Sequence, residues 1–257
     1  MTLIEIFILA VIQGLTEWLP VSSSGHLVIT QKILGLNLPL VYSVMLHVGT
    51  LFVVIIFFWK DILCIIEALI KREFETEEGK LATFIVIGSI PIAIIGLVSH
   101  DIVERLFSDL FAVSIALIIT AVVIFFSEKR KGNRKMKLLD SLLIGLAQGI
   151  ALIPGISRSG MTISMGLLRQ IEKKTVFKYS FLLSVPAIIG ATIMESKDIV
   201  TGNIEMAPIF FGVITSMIVG YFSLKILQKI VISEKFHLFG YYCGVVGIVI
   251  ILLSFFH

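Results

Sequence analysis

Charge is scarce in this chain. Of its 257 residues 15% are Asp, Glu, Lys or Arg, while 57% are hydrophobic and the mean hydropathy is +1.04. A soluble domain carries about 25% charged residues. The deficit excludes a soluble enzyme, a disordered chain and a nucleic-acid binder, and leaves an integral membrane protein. Cysteine is nearly missing. Cys64 and Cys243 each sit inside an apolar run without CxxC spacing, so thiol metal or redox chemistry is not indicated and small packed residues are expected. The opening MTLIEIFILA has no Lys or Arg ahead of its apolar run, so it reads as part of the mature fold rather than a secretory signal.

What the chain has instead is apolar length, enough for roughly six to eight crossings. Uninterrupted stretches cover 39–59, 82–98, 110–126, 179–194, 207–224 and 238–256. Two further apolar regions, 2–34 and 139–168, are broken by Leu19-Pro20-Val21-Ser22-Ser23-Ser24-Gly25 and by Ile153-Pro154-Gly155-Ile156-Ser157-Arg158-Ser159-Gly160. Basic residues mark the cytoplasmic connections. Stretches 60–80, 127–138, 169–178 and 225–237 are rich in Lys and Arg, whereas 99–109 holds only Arg105 and 195–206 only Lys197. The sides therefore run in, out, in, in, out, in. Region 139–168 leaves and returns on the inside, so it is re-entrant. Region 2–34, with only Lys32, re-enters from outside, and both termini are external. Residues 61–72 gather Ile62, Leu63, Ile65, Ile66, Leu69 and Ile70 on one face, as a helix lying on the membrane does. Glu5 reads as interfacial and Glu128–Lys137 as a solvated face.

The broken regions repeat. At a shift of 135, Gln13-Gly14 falls on Gln148-Gly149 and Ser22, Ser24 and Gly25 fall on Ser157, Ser159 and Gly160, while Ser23 meets Arg158 and His26 meets Met161. Three spans follow each break, so the second copy is inserted upside down. The expected fold is an all-α integral membrane protein, one domain over 1–257. It has six transmembrane helices plus two opposed re-entrant helix pairs, in an inverted-topology repeat of approximately 1–127 and 138–257.

Each break starts a new helix at a serine, whose free first-turn N–H groups and partial positive charge suit phosphate oxygens. Gln13 and Glu17 lie one helical turn apart, His26 sits one turn into the second helix, and Arg158 lies in the opposite break. A carboxylate and a guanidinium at membrane depth are costly and mark function. The competing structural reading is an ion pair between the repeats. His47, mid-span without motif neighbours, is expected to pack or to make a supporting hydrogen bond.

The strings QGLTEWLPVSSSGH (13–26) and PGISRSG (154–160), their separation and the later Ser184-Val185-Pro186 resemble the bacitracin-resistance undecaprenyl-diphosphatase family over essentially the whole chain. The resemblance implies the same architecture and a phosphatase that converts polyprenyl diphosphate to the monophosphate. That reaction recycles the carrier lipid for cell-wall synthesis and counters bacitracin, which sequesters the diphosphate. The family's acidic pair falls on Gln13 and Glu17. Its first member is Glu or Gln, so Gln13 is permitted but costs a carboxylate. The motif serine falls on Ser23, the histidine on His26 and the arginine on Arg158. Phosphate-binding positions are then Gln13, Ser22, Ser24, Gly25, Ser157, Ser159, Gly160 and Thr162.

On these residues Ser23 attacks the terminal phosphorus, His26 handles its proton, Arg158 holds the equatorial oxygens and Glu17 orients a partner or binds a metal. Direct attack by water is the alternative. A diphosphate of about −3 meets about +1 from two helix starts and the charges of Arg158 and Glu17. A divalent cation, Mg²⁺ or Ca²⁺, is therefore expected, as the resemblance also implies. The rival function is a polyprenyl-phosphate transporter or flippase using the same site. A passive channel fits poorly, because Glu17, His26 and Arg158 would clog it. The protein is expected in the cell membrane, its partners being the lipid substrate and the bilayer, with the site open to the outer face.

Overall fold

The computed structural model describes residues 2–36, 38, 40–107, 109–128, 132–201, 206–233 and 235–254, without the side chains at 40, 128, 195–201 and 254. Lys129, Arg130, Lys131 and the Lys197 side chain, used in the loop-charge reading, lie outside the described residues. Among the described residues the regular elements are helices: α1 (Leu3–Trp18), α2 (Ser23–Ile33), α3 (Leu40–Phe57), α4 (Trp59–Lys71), α5 (Glu77–Leu106), α6 (Leu110–Glu128), α7 (Leu138–Ile150), α8 (Arg158–Leu168), α9 (Lys173–Thr201), α10 (Met206–Ile232) and α11 (His237–Ser254).

Each of the six uninterrupted apolar stretches forms one helix: α3, α5, α6, α9, α10 and α11. Of these α5, α6, α9 and α10 are long and apolar enough to cross a membrane unaided. α3 meets that test together with α4, which turns 77° away from it, and α11 is a slightly shorter apolar helix, His237–Leu253. Val86, Ile90, Ile94 and Leu97 form an exposed stripe along α5, as expected of a helix whose outer face meets hydrocarbon. α4 packs on α5 and leaves Leu63, Ile66, Leu69 and Ile70 exposed, which fits the surface-lying helix read from its sequence. This is an all-α, multi-pass membrane protein.

Each broken region forms two helices that are individually too short to span, consistent with re-entrant pairs. α1 has 16 residues and α2 has 11, about 24 Å and about 17 Å of helix. α7 and α8, at 13 and 11 residues, are no longer, and all four fall short of a hydrocarbon core of about 30 Å. No helix of either pair crosses alone. Both first helices are fastened to a spanning helix of the other half. α1 packs on α10, where the Ser223 hydroxyl donates to the Leu15 carbonyl at 2.7 Å. α7 packs on α5, where the Ser141 hydroxyl donates to the Phe84 carbonyl at 2.6 Å. The α5–α7 crossing is so close that a Cβ on Gly145 would lie 2.1 Å from the Gly88 carbonyl oxygen. Small residues at crossings are how membrane helices gain packing without a hydrophobic drive between them.

At its start α7 is pinned by Asp140, which is fully buried. Its carboxylate accepts from Arg134 Nη2, Arg169 Nε and the Lys137 N–H, each at 2.8 Å. A buried carboxylate is tolerable because its lone pairs are so well occupied. Glu5, at the corresponding position of α1, closes an exposed capping box with Thr2 instead.

Candidate active site

The site grows from the last turn of α1. Gln13 and Glu17 are both buried on one face, and Gln13 Nε2 donates to Glu17 Oε2 at 2.8 Å. The chain then leaves the helix through Leu19 and Pro20 and reaches Ser22 at φ 67°, ψ 96°. A non-glycine residue there costs on the order of 1–3 kcal/mol. Local bonds hold it. The Ser22 hydroxyl accepts the Gly25 N–H at 3.2 Å, and the Ser22 carbonyl accepts from the His26 N–H at 3.2 Å and from His26 Nδ1 at 2.8 Å. The forced corner delivers the next side chain: Ser23 Oγ donates to Glu17 Oε2 at 2.5 Å.

The second break is held by α6. Gly155 has φ 96°, and a Cβ there would lie 2.3 Å from the Val113 carbonyl oxygen, so glycine is required twice over. The Thr120 hydroxyl donates to the Gly155 carbonyl at 3.2 Å and accepts the Ser157 N–H at 3.1 Å. Ser157 caps α8 in an ordinary extended conformation, φ −79°, ψ 121°, its hydroxyl accepting the Gly160 N–H at 3.1 Å. α8 thus opens with Arg158, whose guanidinium donates to Glu17 Oε1 and lies 5.8 Å from the centre of the Trp18 ring. The breaks touch: a Cβ on Gly25 would fall 3.1 Å from the Gly155 Cα. The first-turn N–H groups of Ser23, Ser24, Arg158 and Ser159 are the ones no serine cap takes.

A residue of α3 completes the cluster. His47 Nε2 lies 3.1 Å from Glu17 Oε2, and its Nδ1 faces the Ser43 carbonyl at 2.7 Å. Both ring nitrogens meet acceptor oxygens, an arrangement that an imidazole donating at both positions satisfies in full. The supporting hydrogen bond foreseen for His47 is therefore made to the central carboxylate itself.

Above this cluster lies a cavity of about 570 Å³. Its polar end holds Glu17, Ser22, Ser23, Ser24, Ser43, His47, Gln148, Ser157 and Arg158. Its apolar walls include Ile92, Leu97 and Val103 of α5 and Ala187 and Met194 of α9. Of the residues foreseen for the site, Glu17, Ser22, Ser23, Ser24, Ser157 and Arg158 reach the cavity. Gln13 stands behind Glu17. Gly25 and Gly160 give their N–H groups to the caps, and the Ser159 hydroxyl lies 3.3 Å from that of Ser157. Thr162 turns away, its hydroxyl bonded to the Arg158 carbonyl at 2.9 Å and to the Ser180 hydroxyl. His26 also turns away from Ser23. Its Nε2 lies 2.8 Å from the Tyr242 hydroxyl and its ring stacks on that ring at 5.6 Å. The proton acceptor placed against Ser23 is Glu17, not His26. No motif announces Tyr242, which lies 216 residues away in sequence. Ser43 and His47 share a helix face by their i, i+4 spacing, the one hint available.

The donor set does not fit a protein-held Mg²⁺ or Ca²⁺. Such ions take carboxylate oxygens first. Glu17 is the one carboxylate among the cavity residues, and both its oxygens already receive donors, from Arg158 on Oε1 and from Gln13, Ser23 and His47 on Oε2. Among the described residues no group of three or more His, Cys, Asp or Glu could hold a metal ion. The buried oxygens left without a donor near the site, Gln13 Oε1 and Gln148 Oε1, are neutral amides.

The family model described as "Bacitracin resistance protein BacA" matches residues 6–249. The chain belongs to that family. Full-length relatives of this BacA chain carry the name undecaprenyl-diphosphatase. It is 41% identical to the one from Halothermothrix orenii over 99% of both chains, and 40% identical to that of Carboxydothermus hydrogenoformans over 97% of both. It is 38% identical to that of Methanosphaera stadtmanae over 98% of both. Both breaks, with Glu17, Ser23, His26 and Arg158, lie inside the matched BacA region.

Proposed function

We propose that this chain is an undecaprenyl-diphosphate phosphatase of the cell membrane. It cleaves the anhydride of a polyprenyl diphosphate to give the lipid monophosphate and inorganic phosphate, which returns the carrier lipid to cell-wall synthesis and limits the target available to bacitracin. The observation that carries this reading is the chain Ser23–Glu17–Arg158, a hydroxyl hydrogen-bonded to a carboxylate that in turn holds a guanidinium, at the polar end of a cavity with apolar walls.

The terminal phosphate sits between the two helix starts, where the uncapped N–H groups and Arg158 receive its oxygens. Arg158 turns from Glu17 to the phosphate. Glu17 keeps Gln13 and His47 as donors and takes the Ser23 proton as Ser23 Oγ forms its bond to the terminal phosphorus. The bond from that phosphorus to the bridging oxygen breaks, and the electron pair leaves with the lipid monophosphate. Glu17 passes that proton to the departing lipid phosphate. Water then gives a proton to Glu17 as its oxygen bonds the phosphorus of the phosphoserine. The bond from that phosphorus to Ser23 Oγ breaks, and Glu17 returns the proton to Ser23 Oγ as inorganic phosphate leaves. His26, by holding the Ser22 carbonyl, keeps Ser23 aimed and is a positioning residue.

The cavity walls come from α5 beyond Ser89 and α9 beyond Pro186. By the loop charges these are the outer halves of both helices, so the site opens outward and the prenyl tail leaves between them. The packing of α1 on α10 and of α7 on α5 is what a pseudo-two-fold relation between 1–127 and 138–257 requires. A transporter could use such a site, but transport alone has no need of a serine held on a carboxylate. Phosphate release from undecaprenyl diphosphate by the purified protein tests the proposal: turnover is expected, and a chain that binds the lipid but frees no phosphate is a transporter.

A further inference from the structure

We infer that this chain has no resident metal ion: without a diphosphate Glu17 is committed to side-chain donors, and the site takes a divalent cation only together with the diphosphate. The inference rests on the phosphatase reading for the identity of the ligand and goes beyond it in saying where positive charge comes from.

The argument is one of saturation. A carboxylate offers about four lone-pair sites. Glu17 receives Arg158, Gln13, Ser23 and His47 on its two oxygens. A cation on Oε2 would have to displace Gln13, Ser23 or His47, and one on Oε1 would lie beside Arg158, a like charge, in a buried pocket. Gln13 sharpens the point. It stands one turn from Glu17, where a glutamate would supply a second carboxylate, and instead it spends an N–H on Glu17. Mg²⁺ is commonly held by one or two carboxylates plus substrate phosphates. Here the protein share is missing and the phosphate share remains. Arg158 and His47 occupy the places around the carboxylate that a metal would otherwise take. A cation bound to the diphosphate oxygens enters with the headgroup and leaves with its products.

The test is Mn²⁺ binding followed by electron paramagnetic resonance on the purified full chain in detergent, without and with methylenediphosphonate as a non-hydrolysable probe. Wild type alone is expected to leave the free Mn²⁺ signal unchanged. Adding the probe should immobilise one equivalent per chain, and Arg158→Gln should abolish that. Gln13→Glu, which restores a second carboxylate, is expected to bind Mn²⁺ without the probe. The inference is overturned if wild type alone binds one Mn²⁺ and loses it on Glu17→Gln. It is overturned equally if Gln13→Glu remains as blind to the ion as wild type. Phosphate release from the lipid substrate, measured on the same preparations, reports separately on the phosphatase reading.

Discussion

At the first break the backbone is forced and the working side chain is short. Ser22 holds φ 67°, and the strain aims Ser23 at Glu17. At the second break the capping serine is relaxed, Ser157 at φ −79°, the positive φ is left to Gly155, and the working side chain is the long fork of Arg158. Two segments alike in sequence pattern thus differ in where they place their conformational cost. On the proposed mechanism Ser23 is the nucleophile and needs a fixed direction, which the strain stored beside it supplies. A guanidinium reaches across the interface and needs only a firm base, which α6 provides through Thr120 and Val113.

The largest effect that would break this comparison is at the residue both sides share. Glu17→Gln leaves Arg158 without its carboxylate and Ser23 without its acceptor, and should lower phosphate release about a thousandfold. Retained activity would mean that the breaks do not meet functionally. Next comes Gly155→Ala, which combines a positive φ with a clash against Val113. It should cost about 2–3 kcal/mol, read as a lower midpoint of thermal unfolding in micelles. The serines sharpen the contrast by sign. Ser22→Gly loses a cap worth a few tenths of a kcal/mol against glycine but relieves the strain, so stability should hold or rise by about 1 kcal/mol while turnover falls. Ser157→Gly, with no strain to relieve, should only destabilise. His47→Gln removes the bridge from Ser43 to Glu17 and should lower kcat about tenfold with little change in KM. The smallest change is Tyr242→Phe, which deletes one hydrogen bond to His26, for about a threefold loss.

Much of this arrangement was legible in the chain. Charge scarcity gave the class, the Pro-Gly-Ser interruptions gave the breaks, and loop lysines separated spanning from re-entrant segments, because each signal is local and tied to the bilayer. The meeting of Glu17 with Arg158 followed from the opposed entry of the breaks. What local pattern could not supply was direction. His26 lies near Ser23 in sequence, yet its ring is drawn to Tyr242 on α11, and Thr162 is claimed by Ser180 on α9. Conversely His47 enters the site from α3, a span whose sequence resembles any other apolar run. Partners on other helices, 216 residues away for His26 but only 18 for Thr162, decide where a polar side chain in a helix turns.

The most direct test of the central claim is a double-mutant cycle on phosphate release from undecaprenyl diphosphate, with Ser23→Ala, Arg158→Lys and the pair. If the two breaks act on one phosphorus, each single change lowers turnover by at least about a hundredfold, and the double variant is little worse than the poorer single. Near-normal turnover in either single variant, or losses that multiply in the pair, would contradict a shared site.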